Sequence, residues 1–155
     1  ADSEEDTLLW KDALIHLEAA RNIEPKEELH HLLSQAWTIY ARKVLAIGGD
    51  SLTALIGLSK AIEYDPENTE PINLAGIIYF QFAEIKRAFI LFQKAIKLDS
   101  TNSSTHFNIG QLYWYEGNVE KAHRHFFEAL KLAPDDDDIV FWFAKAEKAL
   151  RESTQ

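Results

Sequence analysis

The chain has 155 residues, 46% hydrophobic and 12% aromatic, which excludes wholesale disorder and supplies enough apolar mass for a core. Its formal charge of −9, from 16 basic and 25 acidic residues, repels a phosphate backbone, so nucleic acid is excluded as an expected partner. Without cysteine there is no disulfide, thiolate metal site or cysteine nucleophile, and no apolar run approaches the roughly 18 residues of a membrane span, so membrane insertion is not expected.

The first segment, residues 1–34, is acidic, with nine acids against three bases. Within it Leu8, Leu9, Ala13, Leu14, Leu17 and Ala20 recur at helical spacing and predict an amphipathic helix that ends near "NIEP". A second long helix is expected from Pro25, a residue favoured in a first turn, through Leu29, Leu32, Leu33 and Trp37 to Ile47. The region reads as an irregular hairpin or as the start of a long helix. Because the sequence begins at Ala1 and contains no methionine, a trimmed or processed product is expected. A cytoplasmic location is the working expectation, with a periplasmic or other processed location as the alternative.

From residue 35 the chain repeats. "AIEYDPEN", "AIKLDSTN" and "ALKLAPDD" begin at Ala61, Ala95 and Ala129, a step of 34 residues taken twice. The same step relates Ala54, Ala88 and Ala122, then Leu58, Phe92 and Phe126, then Leu45, Tyr79 and Tyr113. Three copies follow, at 35–68, 69–102 and 103–136. Small residues at these positions let two helices approach closely while Phe92 and Phe126 fill the space one turn away, so each copy is expected to be a helical hairpin. Gly49 and Gly117 stand where the first helix of a hairpin must end, and Pro66 and Pro134 just beyond the second. The middle copy has Ala83 in place of glycine, which predicts a tighter or more helical turn.

The last segment, 137–155, predicts a capping helix that shields the final hairpin, with Val140, Phe143 and Ala144 inward and Lys145, Glu147, Lys148, Arg151 and Glu152 outward. The run Asp135–Asp138 reads as the start of this helix, where carboxylates accept orphan N–H groups, rather than as a calcium loop, which needs alternating ligands and a glycine. His123 and His125 point about 200° apart on one helix, and His30 and His31 are adjacent. No metal site or other cofactor is therefore expected from them. No phosphate loop, serine elbow or zinc-protease motif occurs, so no enzymatic activity is expected and no residue is assigned a catalytic role.

In the third copy His106, Ile109, Gly110, Tyr113, Ala122, Phe126, Ala129 and Pro134 keep one phase, and the second copy repeats it with Ile72, Ala75, Gly76, Tyr79, Ala88, Phe92 and Ala95. The first copy is looser, with Arg42 at the position of the small residue, and Ser100 replaces the proline of the second. This pattern resembles the tetratricopeptide repeat. The resemblance implies an all-α, right-handed superhelical solenoid of helix-turn-helix repeats, working as a protein-interaction module that holds a peptide or helical segment of a partner protein in its concave groove. Carried over in phase, the groove residues are Ile39, Lys43, Asn73, Ile77, Phe80, Gln81, Phe107, Gln111, Trp114, Tyr115, Phe141 and Lys145. The chaperone-binding members of the family grip a C-terminal carboxylate with lysine, asparagine and arginine at positions that here carry Ile39 and Lys43, Leu74, and Ser104 and Asn108, so that clamp is missing. The alternatives are a self-assembling scaffold, forming a homo-oligomer, and a regulatory fragment of a larger multi-domain protein.

Overall fold

The computed structural model describes residues 4–23 and 26–153. Pro25, expected to open the second helix, lies outside the described residues. Among them are eight helices and no strand: α1 (Glu4–Ile23), α2 (Glu27–Ala46), α3 (Ser51–Tyr64), α4 (Thr69–Gln81), α5 (Ile85–Leu98), α6 (Ser103–Tyr115), α7 (Val119–Leu132) and α8 (Asp137–Ser153). The fold is an all-α array of helical repeats, and its contacts gather into two compact units, Ala1–Ile78 and Tyr79–Gln155.

The 34-residue step is written into the helix ends. The helices α3, α5 and α7 are each 14 residues long and start at 51, 85 and 119. Their first turns are capped at Asp50, whose carboxylate accepts from the N–H groups of Leu52 and Thr53, and at Asn118, whose side chain accepts from Lys121 N–H. The intervening cap, Glu84, makes no such bond. A second series one helix on runs Asn68, Asn102, Asp136: their side chains accept from Glu70, from Thr105, and from Asp138 and Ile139. Asp136 thus does what the acidic run was expected to do, satisfying donors that the helix itself leaves open.

Packing inside the hairpins follows from side-chain size. Ala54, Leu58 and Ala61 on α3, Ala88, Phe92 and Ala95 on α5, and Ala122, Phe126 and Ala129 on α7 are all fully buried. A Cβ added to Gly110 on α6 would lie 2.6 Å from the Phe126 ring, so only glycine admits that ring between α6 and α7. The first hairpin has no such glycine on its first helix. Arg42, which replaces the equivalent small residue on α2, is exposed and pairs with Glu70 at 3.0 Å. On the partner helix Gly57 faces Trp37, Tyr40 and Ala41, where an added Cβ would lie at ordinary contact distance, 3.4–3.5 Å.

Four sequence expectations change. Gly48, not Gly49, takes the left-handed conformation (φ 72°) after α2; Gly49 instead needs its hydrogen because a Cβ would meet the Val44 carbonyl at 2.6 Å. Ala83 does not make a tighter turn. It adopts φ 58°, as Gly117 adopts 76°, and both turns close with the same two bonds: Ala83 N–H to Phe80 O and Glu84 N–H to Tyr79 O, then Gly117 N–H to Trp114 O and Asn118 N–H to Tyr113 O. On α1 the buried face is Leu14 with part of Leu17, while Leu8 and Leu9 are 60% and 67% exposed and Ala13 and Ala20 face out. On α8 the inward residues are Ile139 and Ala146, with Val140 and Ala144 exposed, because α8 turns the face carrying Trp142 towards α7.

What holds the weakly apolar α1 is a polar anchor. One oxygen of Glu18 accepts from Trp37 Nε1 at 3.1 Å, Lys60 Nζ at 2.9 Å and Tyr64 OH at 3.1 Å, tying α1 to α2 and α3. Burial works to raise this carboxyl, but the bonds from Lys60, Tyr64 and Trp37 and the lysine charge outweigh it, so it titrates below its ordinary value. Its contribution is therefore present above the ordinary carboxylate range and is lost as pH falls through the lowered folded value.

Two substitutions check this reading. Ala83→Gly removes the cost of a left-handed alanine, about 1 kcal/mol, and is expected to raise the thermal midpoint by about 2–4 °C in a calorimetric scan. Glu18→Ala is expected to release α1, seen as faster amide hydrogen exchange across Leu8–Ile23 with α5–α8 unchanged.

Candidate functional site

The candidate residues divide between the two units. In the first, Ile39 is partly exposed on α2 and, with Arg42, Lys43 and Ala46, lines a shallow cavity of about 280 Å³. Asn73 on α4 is buried, and Ile77 half-buried.

The second unit carries the aromatic residues. Trp114 and Phe107 on α6 are half-buried against Ala122, Phe126 and Ala146, together with Trp142 and Phe143 of α8. Trp114 meets Trp142 edge to face at 5.8 Å, and Phe107 lies 5.8 Å from Phe126. These rings join α6, α7 and α8, and each stays half-buried. Beyond them Tyr115 is 65% exposed and Phe141 60%. Tyr115 sits edge to face with Phe80, at the end of α4, with centroids 6.0 Å apart. Gln81 is exposed and Gln111 half-buried, and their amides carry no hydrogen bond among the described residues.

Lys145 organises this face. Its ammonium lies 4.2 Å from the Trp142 ring centroid, 5.1 Å from Trp114 and 5.9 Å from Phe141. No carboxylate among the described residues pairs with it, so attraction to the ring faces is what places the charge. Trp142 falls outside the repeat phase of the groove set, because its equivalent one repeat earlier is the buried Asn108. Its spacing to Lys145, three residues on a helix, was the available signal.

A second cluster pairs histidines of two different helices, which spacing along one helix does not reveal. His106 on α6 and His125 on α7 are 19 residues apart, and their Nδ1 atoms approach to 3.3 Å. His106 Nε2 is 3.2 Å from the Ser100 carbonyl, to which it can only donate, so in the neutral ring its Nδ1 accepts from His125 Nδ1–H. Tyr113 stacks on His125 at 5.6 Å, which places that tyrosine at the hairpin seam. His123 packs separately on Phe143. Burial, then the charge of His106, pushes His125 down to about 4, against a smaller opposing effect of Glu128.

The hairpins define an all-α helical-repeat protein. The family model described as "Tetratricopeptide repeat" matches residues 103–136. The chain therefore carries a tetratricopeptide repeat, and its resemblance to that family stands. No curated protein matches the sequence. Among solved structures, the first repeat domain of Spaghetti (RPAP3), bound to the HSP90 peptide SRMEEVD, is similar at TM-score 0.72 and 17% identity, over 78% of this chain and 95% of that one. The first domain of human RPAP3 is similar at TM-score 0.70 and 17% identity, over 77% and 94%. An O-GlcNAc transferase of Thermobaculum terrenum gives TM-score 0.70 and 24% identity over 76% of this chain but only 22% of its own. At these identities the likeness shows the fold alone.

The histidine pair yields a pH dependence. The unfolded chain binds this proton near the ordinary 6.5 and the folded chain only near 4, so the stability from neutral His125 is complete above about pH 6.5 and drains away as pH falls towards 4. In denaturant titrations at pH 7.5 and 5.0, His125→Phe is expected to lose less stability on acidification than the parent chain.

Proposed function

We propose that the protein is a non-enzymatic interaction module whose ligand is a peptide or helical segment of a partner protein, held in the concave groove of its repeat array. The observation that carries this reading is the pair of large exposed rings, Tyr115 and Phe141, set beside the partly buried Trp114 and the ring-bound Lys145. A surface of this kind supplies apolar area at low entropic cost, because its rings are already fixed by the edge-to-face contacts behind them. Gln81 and Gln111 supply amides for the backbone of an extended ligand. Phe80 and Phe107 complete the contact set proposed on the second unit. The tail peptide held by the Spaghetti domain is not the proposed ligand, since the clamp positions here carry Ile39 and Lys43, Leu74, and Ser104 and Asn108.

The test separates binding from packing. Trp114 supports α8 as well as facing the groove, so its truncation also costs stability, whereas Tyr115 and Phe141 are mostly in water. Probed on an array of random 12-residue peptides, Tyr115→Ala and Phe141→Ala are each expected to weaken the retained ligands at least tenfold with the thermal midpoint nearly unchanged. Unchanged affinity in both would move the site elsewhere.

A second reading, self-assembly, is favoured by one observation: Leu8, Leu9, Ile15 and Ile23 of α1 are exposed. Light scattering across a concentration series distinguishes it, since Leu9→Lys with Ile15→Lys should abolish any rise in mass.

A further inference from the structure

We propose that His106 and His125 form a site for a divalent transition metal that joins α6 to α7, with Glu128 as third ligand and water completing the shell.

The geometry comes first. The two Nδ1 atoms are 3.3 Å apart and the ring centroids 5.5 Å, only 2.2 Å more, so the nitrogens lie between the rings and face each other. Two imidazoles on one tetrahedral zinc, each at about 2.0–2.1 Å, stand about 3.3–3.4 Å apart. The spacing of the hydrogen-bonded pair is thus already the edge of a coordination tetrahedron, and a metal enters by a tilt of the rings rather than a separation of the helices.

The surrounding groups suit ligand histidines. His106 donates Nε2–H to the Ser100 carbonyl and turns its Nδ1 lone pair inward, the arrangement by which a backbone carbonyl orients a metal-bound imidazole. His125 is held by its stacking on Tyr113. Its Nδ1–H occupies the place the metal would take, and moving that proton to its own Nε2 frees the lone pair without loss of a net proton. Burial keeps this ring neutral at neutral pH, as a ligand must be. Glu128 lies one turn further along α7, and its carboxyl is held below its ordinary value first by the bond from Lys131 and also by the charges of His106 and His125. Lys131 Nζ is 2.6 Å from that carboxylate, so recruiting Glu128 means breaking this surface pair. Because no three donors converge beforehand among the described residues, the two imidazoles form the core of the site and Glu128 swings in. Imidazole with carboxylate selects Zn²⁺, Cu²⁺ or Ni²⁺ over Mg²⁺ and Ca²⁺.

The experiment titrates the whole chain, freed of metal with a chelator, with Cu²⁺ and with Zn²⁺, using Mg²⁺ as control. One Cu²⁺ per chain with two nitrogen ligands in its electron paramagnetic resonance spectrum is expected, together with a thermal midpoint that rises in Zn²⁺ and not in Mg²⁺. His125→Phe and His106→Gln should each weaken binding at least tenfold, Glu128→Gln less, and His31→Gln on α2 not at all. Should His125→Phe fail to fold, His106→Gln decides, since that ring is only half-buried. Absence of binding, or binding that survives loss of the His106 ring or depends on His31 instead, overturns the proposal.

Discussion

The structure depends on how closely two helices of one hairpin can approach. Where Gly110 meets Phe126, a single methyl group would overlap the ring, and the alanines at Ala122 and Ala129 keep the rest of that seam equally thin. The requirement is for a small residue on one side and a filler on the other, not for a given residue on a given helix. The first hairpin tolerates Arg42 because its side chain stays outside the seam, where Ala41 of α2 and Ala54 and Ala61 of α3 are fully buried. The hairpin keeps its seam and releases the arginine to pair with Glu70.

Beyond Phe92 and Phe126, which fill the seams, the large rings of the second unit lie on the helix flanks. Trp114, Phe107 and Trp142 are half-buried, packed against Ala122, Phe126 and Ala146 where α6, α7 and α8 meet. Packing thus accounts for half of each ring in the second unit, and the proposed recognition would use the other half. Lys145 shows the consequence: in a chain with nine excess negative charges, its ammonium is placed by three aromatic faces rather than by a carboxylate. A charge so placed has lost part of its freedom before any ligand arrives.

Much of the fold was legible in the sequence because it repeats. Residues that recur every 34 positions must meet equivalent surroundings, so Ala54, Ala88 and Ala122 could be placed inside without coordinates. Where the period breaks, so did the reading. Helix α2 ends at Ala46, one residue before the place that corresponds to the ends of α4 and α6, which moves the left-handed position to Gly48, and α1, which has no repeat partner, hides Leu14 while exposing Leu8 and Leu9. Ala83 was misread because composition suggests that a left-handed turn needs glycine; the turn is imposed by the two closing hydrogen bonds, and the alanine bears the strain.

The sequence by itself determined the helical hairpins, their 34-residue step and the burial of the alanine and phenylalanine seam, because these follow from local periodicity and side-chain volume. Only the tertiary structure decided that Glu18 ties α1 to Trp37, Lys60 and Tyr64, that Trp142 shares Lys145 with Trp114, and that His106 faces His125. Each of those contacts joins side chains on different helices, and its existence depends on rotation of one helix against its neighbour by a fraction of a turn, a quantity that spacing along the chain does not contain.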